Sequence, residues 1–261
     1  MSAGGQLAGK RAIVTGASSG IGRAIALLFC AEGASVAVCG RDPARTRETA
    51  EQIHVRGGRA HPIAFDVREH GRIEAAVAET VATFGGLDVL VNCAGISEAG
   101  GFAPLHEQSL AAWELTLAVD VTSAFAMSKA VIPHMLSAGG GAIAHISSIA
   151  ALTVLEGNAP YGAAKAALNQ LSRHIAVEYA QQGIRSNAIL PGEIDTPASI
   201  RAIAMAEEAG QYTREGLLAR YPAGRFGQPE EIAQAALFLC SDRSTFLTGQ
   251  EICVDGAYTS V

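Results

Sequence analysis

The sequence predicts a doubly wound α/β fold, Rossmann-like, with about seven parallel strands in one sheet and helices on both faces, in a single domain over residues 1–261. Three observations lead there. Short β-branched runs alternate with longer amphipathic ones along the whole chain, which is the order of parallel strands joined by crossover helices. The first apolar run passes through a glycine-rich turn straight into a helical pattern. A chain of 261 residues, 49% hydrophobic and 17% charged, can bury one large core, and no linker, repeat or low-complexity stretch divides it.

Taken in order, the strands are Ala12 to Val14, Ser35 to Cys39, Ala60 to Phe65, Val89 to Val91, Gly141 to Ser147, Arg185 to Leu190 and Glu251 to Val254. Helical patterns fill the gaps, beginning with Arg23 to Glu32. The segment from Pro160 to about Gln182 also reads as a helix. Apolar stretches from Trp113 to Met135 and from Ala163 to Tyr179 exceed what one sheet face needs, which points to helices shared between copies of the chain.

Composition excludes several partner classes. A net charge of -6 argues against nucleic acid or an anionic membrane as partner. The start, MSAGGQLAGK, has no apolar signal core, and no run approaches the ~18 apolar residues of a spanning helix. A cytoplasmic enzyme is expected. The five cysteines lack CxxC spacing, and the histidines and carboxylates form no spaced ligand set, so neither a metal site nor a disulfide framework is expected. His145 reads as a hydrogen-bonded core residue of its strand rather than a catalyst.

Two constellations carry chemistry. After the first strand come Gly16, Ala17, Ser18, Ser19, Gly20, Ile21 and Gly22, spaced GxxxGxG rather than GxGxxG. Glycines let a backbone approach a pyrophosphate, and the amides that open a helix bind the anion. A glycine turn needs no ligand, but its place on the first strand of an alternating pattern favours one. The second constellation is Tyr161 and Lys165, four residues apart and so on one helical face, with Ser148 upstream. An ammonium favours the phenolate, which lets Tyr161 act as a general acid or base near neutrality. Such a pair alone is often only solvated. In a doubly wound sheet, however, Gly16 to Gly22, Asp66, Asn92 to Gly95, Ser148 and Pro191 to Thr196 all fall at the carboxyl edge of the strands, where ligands bind.

These motifs, in this order, resemble the short-chain dehydrogenase/reductase family: TGASSGIG, the pair Asp66-Val67, NCAG at Asn92 to Gly95, SS at Ser147-Ser148, YGAAK, PGEIDT, and the C-terminal RFGQPEEIA and LTGQEICVDGA. The resemblance spans nearly the whole chain. It implies Ser148, and not Ser147, as the catalytic serine, Tyr161 as acid/base, and Lys165 as the group that lowers its pKa and holds the nicotinamide ribose. It implies adenine contacts at Asp66 and Val67, a cofactor floor of Asn92, Ala94 and Gly95, and contacts to the carboxamide end from Pro191, Gly192, Ile194 and Thr196. The implied reaction exchanges a hydride between the nicotinamide and a carbonyl carbon, while Tyr161 handles the proton and Ser148 hydrogen-bonds the same oxygen. The resemblance also implies a homotetramer, with a dimer as the alternative.

Two positions depart from the family pattern. Asp120 stands where the family has an asparagine thought to complete a proton relay to Lys165, and the family's DGG reads Asp255-Gly256-Ala257. For the cofactor, NADP is the expected choice and NAD the other possibility. Gly40 ends strand two where NAD-preferring relatives carry an acid, and Arg41 follows as a grip for a 2′-phosphate. Asp42 would favour NAD if the loop turned by one residue.

The function expected is therefore an NAD(P)-dependent oxidoreductase acting on a small ketone or secondary alcohol. Two alternatives stand beside it. One is a 3-oxoacyl carrier-protein reductase, disfavoured because 130–142 and 174–182 offer an acidic partner no Lys or Arg. The other is a catalytically weakened regulatory protein that binds the cofactor. The substrate pocket is expected in Leu152 to Asn158, around Ser97 and in Ala198 to Tyr221, with Glu193 and Glu156 as candidates for a polar substrate group.

Overall fold

Runs of Val, Ile and Ala with no room for charge settle into seven parallel strands, and successive side chains feed the two opposite faces of the sheet. The computed structural model describes residues 5–97, 99 and 101–261. Among them the strands are β1 (Arg11–Val14), β2 (Ser35–Gly40), β3 (Arg59–Ala64), β4 (Val89–Asn92), β5 (Gly141–Ile146), β6 (Ile184–Pro191) and β7 (Glu251–Val254). They lie in the order β3-β2-β1-β4-β5-β6-β7. The strand order reverses between β1 and β4, so the crevice for a ligand opens there.

Each expected strand is present within one residue at either end. Phe65 and Ser147 lie just beyond their strands, although their N–H groups still donate to Gly40 O at 3.0 Å and Ile189 O at 2.8 Å.

The two-residue period assigns the core. Ala12, Val14, Val36, Val38, Val89 and Val91 pack beneath α1 (Gly20–Ala31), α2 (Pro43–Val55) and α9 (Pro229–Cys240), where Phe29, Ile53 and Leu237 meet them. The alternate residues Ile13, Ala37, Leu90 and Ile143 face α3 (His70–Phe84), α5 (Ser123–Ser137) and α6 (Ala159–Tyr179), against Ile73, Met127 and Ile175. A strand of this kind reads as continuous apolar sequence because both faces are covered. The shorter helices α4 (Leu110–Leu117), α7 (Pro197–Glu208) and α8 (Arg214–Leu218) sit at the carboxyl edge.

Helix boundaries differ from expectation where local chemistry overrides the pattern. α1 starts at Gly20 rather than Arg23, because the last two glycines of the turn themselves open the helix after Ser19. The stretch from Trp113 to Met135 is not one regular helix. A wide turn over Ala118–Thr122, in which the Ser123 N–H donates to Ala118 O, joins α4 to α5. Contrary to the sequence expectation, residues 110–137 are together long and apolar enough to cross a bilayer, with mean hydropathy 1.5. Here 44% of that window is buried in protein, and Met127, Val131 and Met135 lie on the sheet, as in a core helix. The helix from Pro160 ends at Tyr179, and its last three expected residues, Ala180–Gln182, tighten into a 3₁₀ turn before Gly183.

The departure at Ala257 has a backbone consequence. Its φ of +69° lies in the left-handed region, and it is the one non-glycine residue there among the described residues. A Cβ in that region costs roughly 1–2 kcal/mol, offset in part by the lower chain entropy of alanine when unfolded. Ala257→Gly is expected to raise stability by up to about 1 kcal/mol, read as a higher urea midpoint at constant slope.

Candidate active site

Loops from the carboxyl ends of the strands enclose a cleft of about 540 Å³. Its first wall is the glycine turn, where Gly16 has φ +66° and a Cβ on Gly22 would come within 2.4 Å of Gly16 O, so both positions require glycine. The helix that follows receives no side-chain cap from Ser19, and Ser18, Ser19, Gly20, Ile21 and Gly22 line the cleft with first-turn amides that have no partner within the helix. A bare helix N-terminus behind a glycine cradle fits a pyrophosphate. Thr15 fixes the floor opposite: its Oγ1 accepts from the N–H groups of Cys93 at 3.0 Å and Ala94 at 3.1 Å.

The next wall bears on a ribose. Gly40 ends β2 with no space for a side chain, since a Cβ would lie 2.7 Å from Thr46 Oγ1 and 2.9 Å from Ser18 Cβ. Asp42 does not face a ligand with a free carboxylate, because its Oδ1 accepts from Ala44 N at 2.9 Å and Arg45 N at 3.2 Å and so caps α2. Arg41 is exposed on the cleft wall. Asp66 and Val67 line the cleft past β3, with the carboxylate of Asp66 paired to Arg68 at 2.7 Å and its pKa held below the ordinary range by that hydrogen-bonded pair.

The catalytic candidates come together at the middle. Pro160 stands in the first turn of α6, and the alanine-rich run after it favours helix. That helix carries Tyr161 and Lys165 on one face, the Lys165 Nζ 5.3 Å from the centre of the Tyr161 ring. Ser148, just past β5, lies close enough to the phenol to act against the rise of its pKa, and its Oγ accepts from Ala150 N at 3.1 Å. Beneath them the Lys165 Nζ forms an ion pair with Asp120 Oδ1 at 2.7 Å and donates to Ile146 O at 3.1 Å. Asp120 is 1% exposed, and its Oδ2 accepts from Ile96 N at 3.0 Å. Gly95 covers the pair so closely that a Cβ would lie 2.9 Å from Asp120 Oδ1.

This pairing corrects the expectation of an acidified phenol. Burial raises the pKa of Tyr161; Lys165 opposes that, Asp120 adds to it, and the net direction is upward. Burial alone would strip the proton from Lys165, but Asp120 and Tyr161 outweigh it and hold the ammonium more firmly than usual. The lysine charge is thus largely spent on a carboxylate, and Tyr161 is held as a neutral phenol, a proton donor at neutral pH.

At the far wall Pro191 closes β6, Ile194 is buried, and Thr196 caps α7 by accepting from Ser199 N at 3.1 Å. Asn92 corrects a second expectation: it does not line the cleft. It is buried beneath it, where its Nδ2 donates to Ser128 Oγ at 3.3 Å and lies 3.3 Å from His145 Nδ1. His145 is fully buried, and burial with Lys165 nearby pushes its pKa down to about 3, which makes it the neutral core histidine expected. Among the described residues no group of three or more His, Cys, Asp or Glu is placed to hold a metal ion.

Residues 16–259 match a family model described as enoyl-(acyl carrier protein) reductase. The chain is 38% identical to 2-(R)-hydroxypropyl-CoM dehydrogenase of Xanthobacter autotrophicus, over 96% of this chain and 98% of that one. It is 40% identical to cis-4-hydroxycyclohexanecarboxylate dehydrogenase of Sinomonas cyclohexanicum, over 96% of both. Among solved structures it is similar to a gluconate 5-dehydrogenase from Burkholderia cenocepacia in complex with NADP and tartrate, with 34% identity, a TM-score of 0.89, and 98% of this chain and 97% of that one covered. The chain belongs to the short-chain dehydrogenase/reductase family.

Within this short-chain dehydrogenase/reductase, the cleft gathers Gly16 to Gly22, Arg41, Asp66, Val67, Ala94, Gly95, Ser148, Tyr161, Lys165 and Pro191 to Thr196, and leaves Asn92 and Asp120 behind its wall. Thr153 to Leu155, Asn158 and Ser97 line it as expected, whereas Glu156 points elsewhere. Sequence reasoning missed Thr15 as a positioning residue, and missed Phe102, Leu115 and Tyr258 as lining residues. A hydroxyl placed before the first glycine was the available signal for Thr15. The aromatics arrive from distant loops with no local pattern. For Asp120 the sign of the effect is clear: its carboxylate raises the phenol pKa, so Asp120→Asn lowers it and moves the alkaline rise of alcohol oxidation to lower pH. Asp120→Ala leaves a buried ammonium unpaired and is expected to cost about 3–5 kcal/mol of stability with most of the rate. Unmoved pH-rate profiles with unmoved melting would reduce Asp120 to a bystander.

Proposed function

We propose that this chain is an NAD(P)-dependent oxidoreductase interconverting a ketone and a secondary alcohol, and the observation that carries the reading is Tyr161, beside Ser148 and with the Lys165 ammonium over its ring, in the same cleft as an uncapped helix N-terminus. The nicotinamide, when bound, supplies the hydride chemistry. Tyr161 gives its proton to the oxygen of the carbonyl as charge develops there, and Ser148 donates to the same oxygen. Lys165 keeps a positive charge under the phenol and so stabilises the phenolate left behind. The intact geometry of these three residues favours an enzyme over a regulatory binding protein. Tyr161→Phe is expected to abolish turnover of a ketone panel while cofactor binding, read by fluorescence, persists. Turnover retained in that variant would refute the assignment.

NADP is the cofactor favoured by the second wall. No acid fits at Gly40, the carboxylate of Asp42 is committed to its helix, and Arg41 is left on the rim with Arg45 beside it. A charge-assisted contact to a 2′-phosphate is worth about 1.5–3 kcal/mol, so Arg41→Ala should reduce kcat/KM for NADP by roughly ten- to a hundredfold and leave NAD little changed. Equal losses with both cofactors would contradict this.

The working form proposed is a homotetramer in the cytoplasm, whose reducing conditions suit five free cysteines. Leu110 on α4, Phe125 on α5 and Val177 on α6 are exposed at 70%, 53% and 83%, an apolar surface of the kind that copies of a chain cover. Light scattering should return the mass of four 26.8 kDa chains, and a monomer at micromolar concentration would overturn the assembly.

A further inference from the structure

The two ends of the cleft differ in charge. Arg41 and Arg45 line the end beside the glycine cradle, whereas beyond Ser148 and Tyr161 the wall includes Glu193 and the phenols of Tyr212, Tyr221 and Tyr258, with Arg201 on α7 as its cation. Glu193 is held in place by its backbone: its N–H donates to the Tyr221 hydroxyl at 2.7 Å, and its carbonyl accepts from Gly227 N at 2.9 Å. Its carboxylate is close enough for its charge to act on Tyr161, Tyr212 and Tyr221 together. Burial and, less, the neighbouring Asp195 push its own pKa upward, and Ser199 opposes them. Among the described residues no cation pairs with it. Lys165 is paired with Asp120 at 2.7 Å, Arg214 reaches Asp195 at 3.5 Å instead, and Arg201, which also lines the cleft, makes no ion pair with Glu193.

A carboxylate drawn from water with no cation paired to it gains most from a further donor, and it repels a like charge brought to the same place. In this cleft the missing donor has to arrive with the substrate. We propose that Glu193 is the specificity-determining residue of this active site, selecting ketones and secondary alcohols that carry a second hydrogen-bond donor, a hydroxyl or an ammonium, next to the reacting carbon, and disfavouring those that carry an anion there. The inference rests on the oxidoreductase reading above. Tyr161 and Ser148 take the reacting oxygen, Glu193 accepts from the neighbouring donor, and the phenol rings of Tyr212 and Tyr221 flank the carbon skeleton between them.

The test uses four matched ring alcohols: cyclohexanol, cyclohexane-1,2-diol, 2-aminocyclohexanol and 2-hydroxycyclohexanecarboxylate. Each is measured with the wild-type enzyme, with Glu193→Gln, and with Glu156→Gln as a control on an exposed carboxylate outside the cleft. Two readouts are taken, kcat/KM from the absorbance of the reduced nicotinamide and the Kd of each alcohol for the NADP complex by calorimetry. The wild type is expected to favour the donor-bearing alcohols over cyclohexanol, with the carboxylate last. In Glu193→Gln the advantage of the amine over cyclohexanol should fall about tenfold or more and that of the diol about fivefold, while the carboxylate gains. An effect on the amine alone identifies an ammonium substrate; similar effects on both identify a hydroxyl. A wild-type preference for the carboxylate, or the same ranking in wild type and Glu193→Gln by both measures, would overturn the inference. If no alcohol is turned over, the oxidoreductase reading fails and the Kd ranking alone decides the role of Glu193.

Discussion

Seven parallel strands covered on both faces leave ionised side chains no place within the sheet, and the rest of this molecule follows from where those groups are sent. In the central strands β4 and β5 the buried polar residues are Asn92 and His145, which are neutral and bonded to each other, Asn92 also donating to Ser128. Most of what carries charge or lines the cleft lies at the strand ends or on the outer strands. At the amino edge this yields a structural pair, Arg11 and Asp88, joined at 2.7 Å between β1 and the start of β4. At the carboxyl edge it yields the cleft.

The two edges spend their charges differently. Arg11 and Asp88 are partly solvated and each strengthens the charged form of the other, as a surface clamp does. Lys165 and Asp120 are almost wholly buried, where desolvation consumes most of the attraction and the pair contributes little net stability. Its effect falls instead on Tyr161. A lysine facing no carboxylate would push the phenol toward ionisation, and a lysine balanced at 2.7 Å lets burial dominate, which stores the proton on Tyr161 until an oxygen in the cleft develops charge. The carboxylate at position 120 therefore sets the electrostatic surroundings of Tyr161, while its other oxygen accepts from Ile96 N.

Geometry around the cofactor end shows the same economy of small residues. Gly22 lets the helix start press against Gly16, Gly95 lets the floor lie on the Asp120 and Lys165 pair, and Gly40 removes any acid from the ribose wall. Thr15 then ties floor to cradle through one oxygen that accepts two N–H groups. The shape of this end is carried by these contacts, while the residues lining the other end, from Phe102 to Tyr258, belong to loops and edge helices.

Local pattern determined the fold class, the seven strands, the glycine cradle, and the placing of Tyr161 and Lys165 on one face of a helix, because each rests on residues within a turn or two of one another. It also determined that Gly16 to Gly22, Asp66, Ser148 and Pro191 to Thr196 would share one edge, since parallel strands all end on the same side. What tertiary structure decided lay between segments far apart in sequence. Asp120 meets Lys165 across two helices, Asn92 turns inward to His145, Asp42 folds onto its own helix, and Glu193 faces three phenols drawn from α6 and the edge loops. The pKa of Tyr161 was read with the wrong sign from sequence for the same reason: spacing along one helix reveals the lysine beside it, but burial and the carboxylate behind that lysine exist only once the chain has packed.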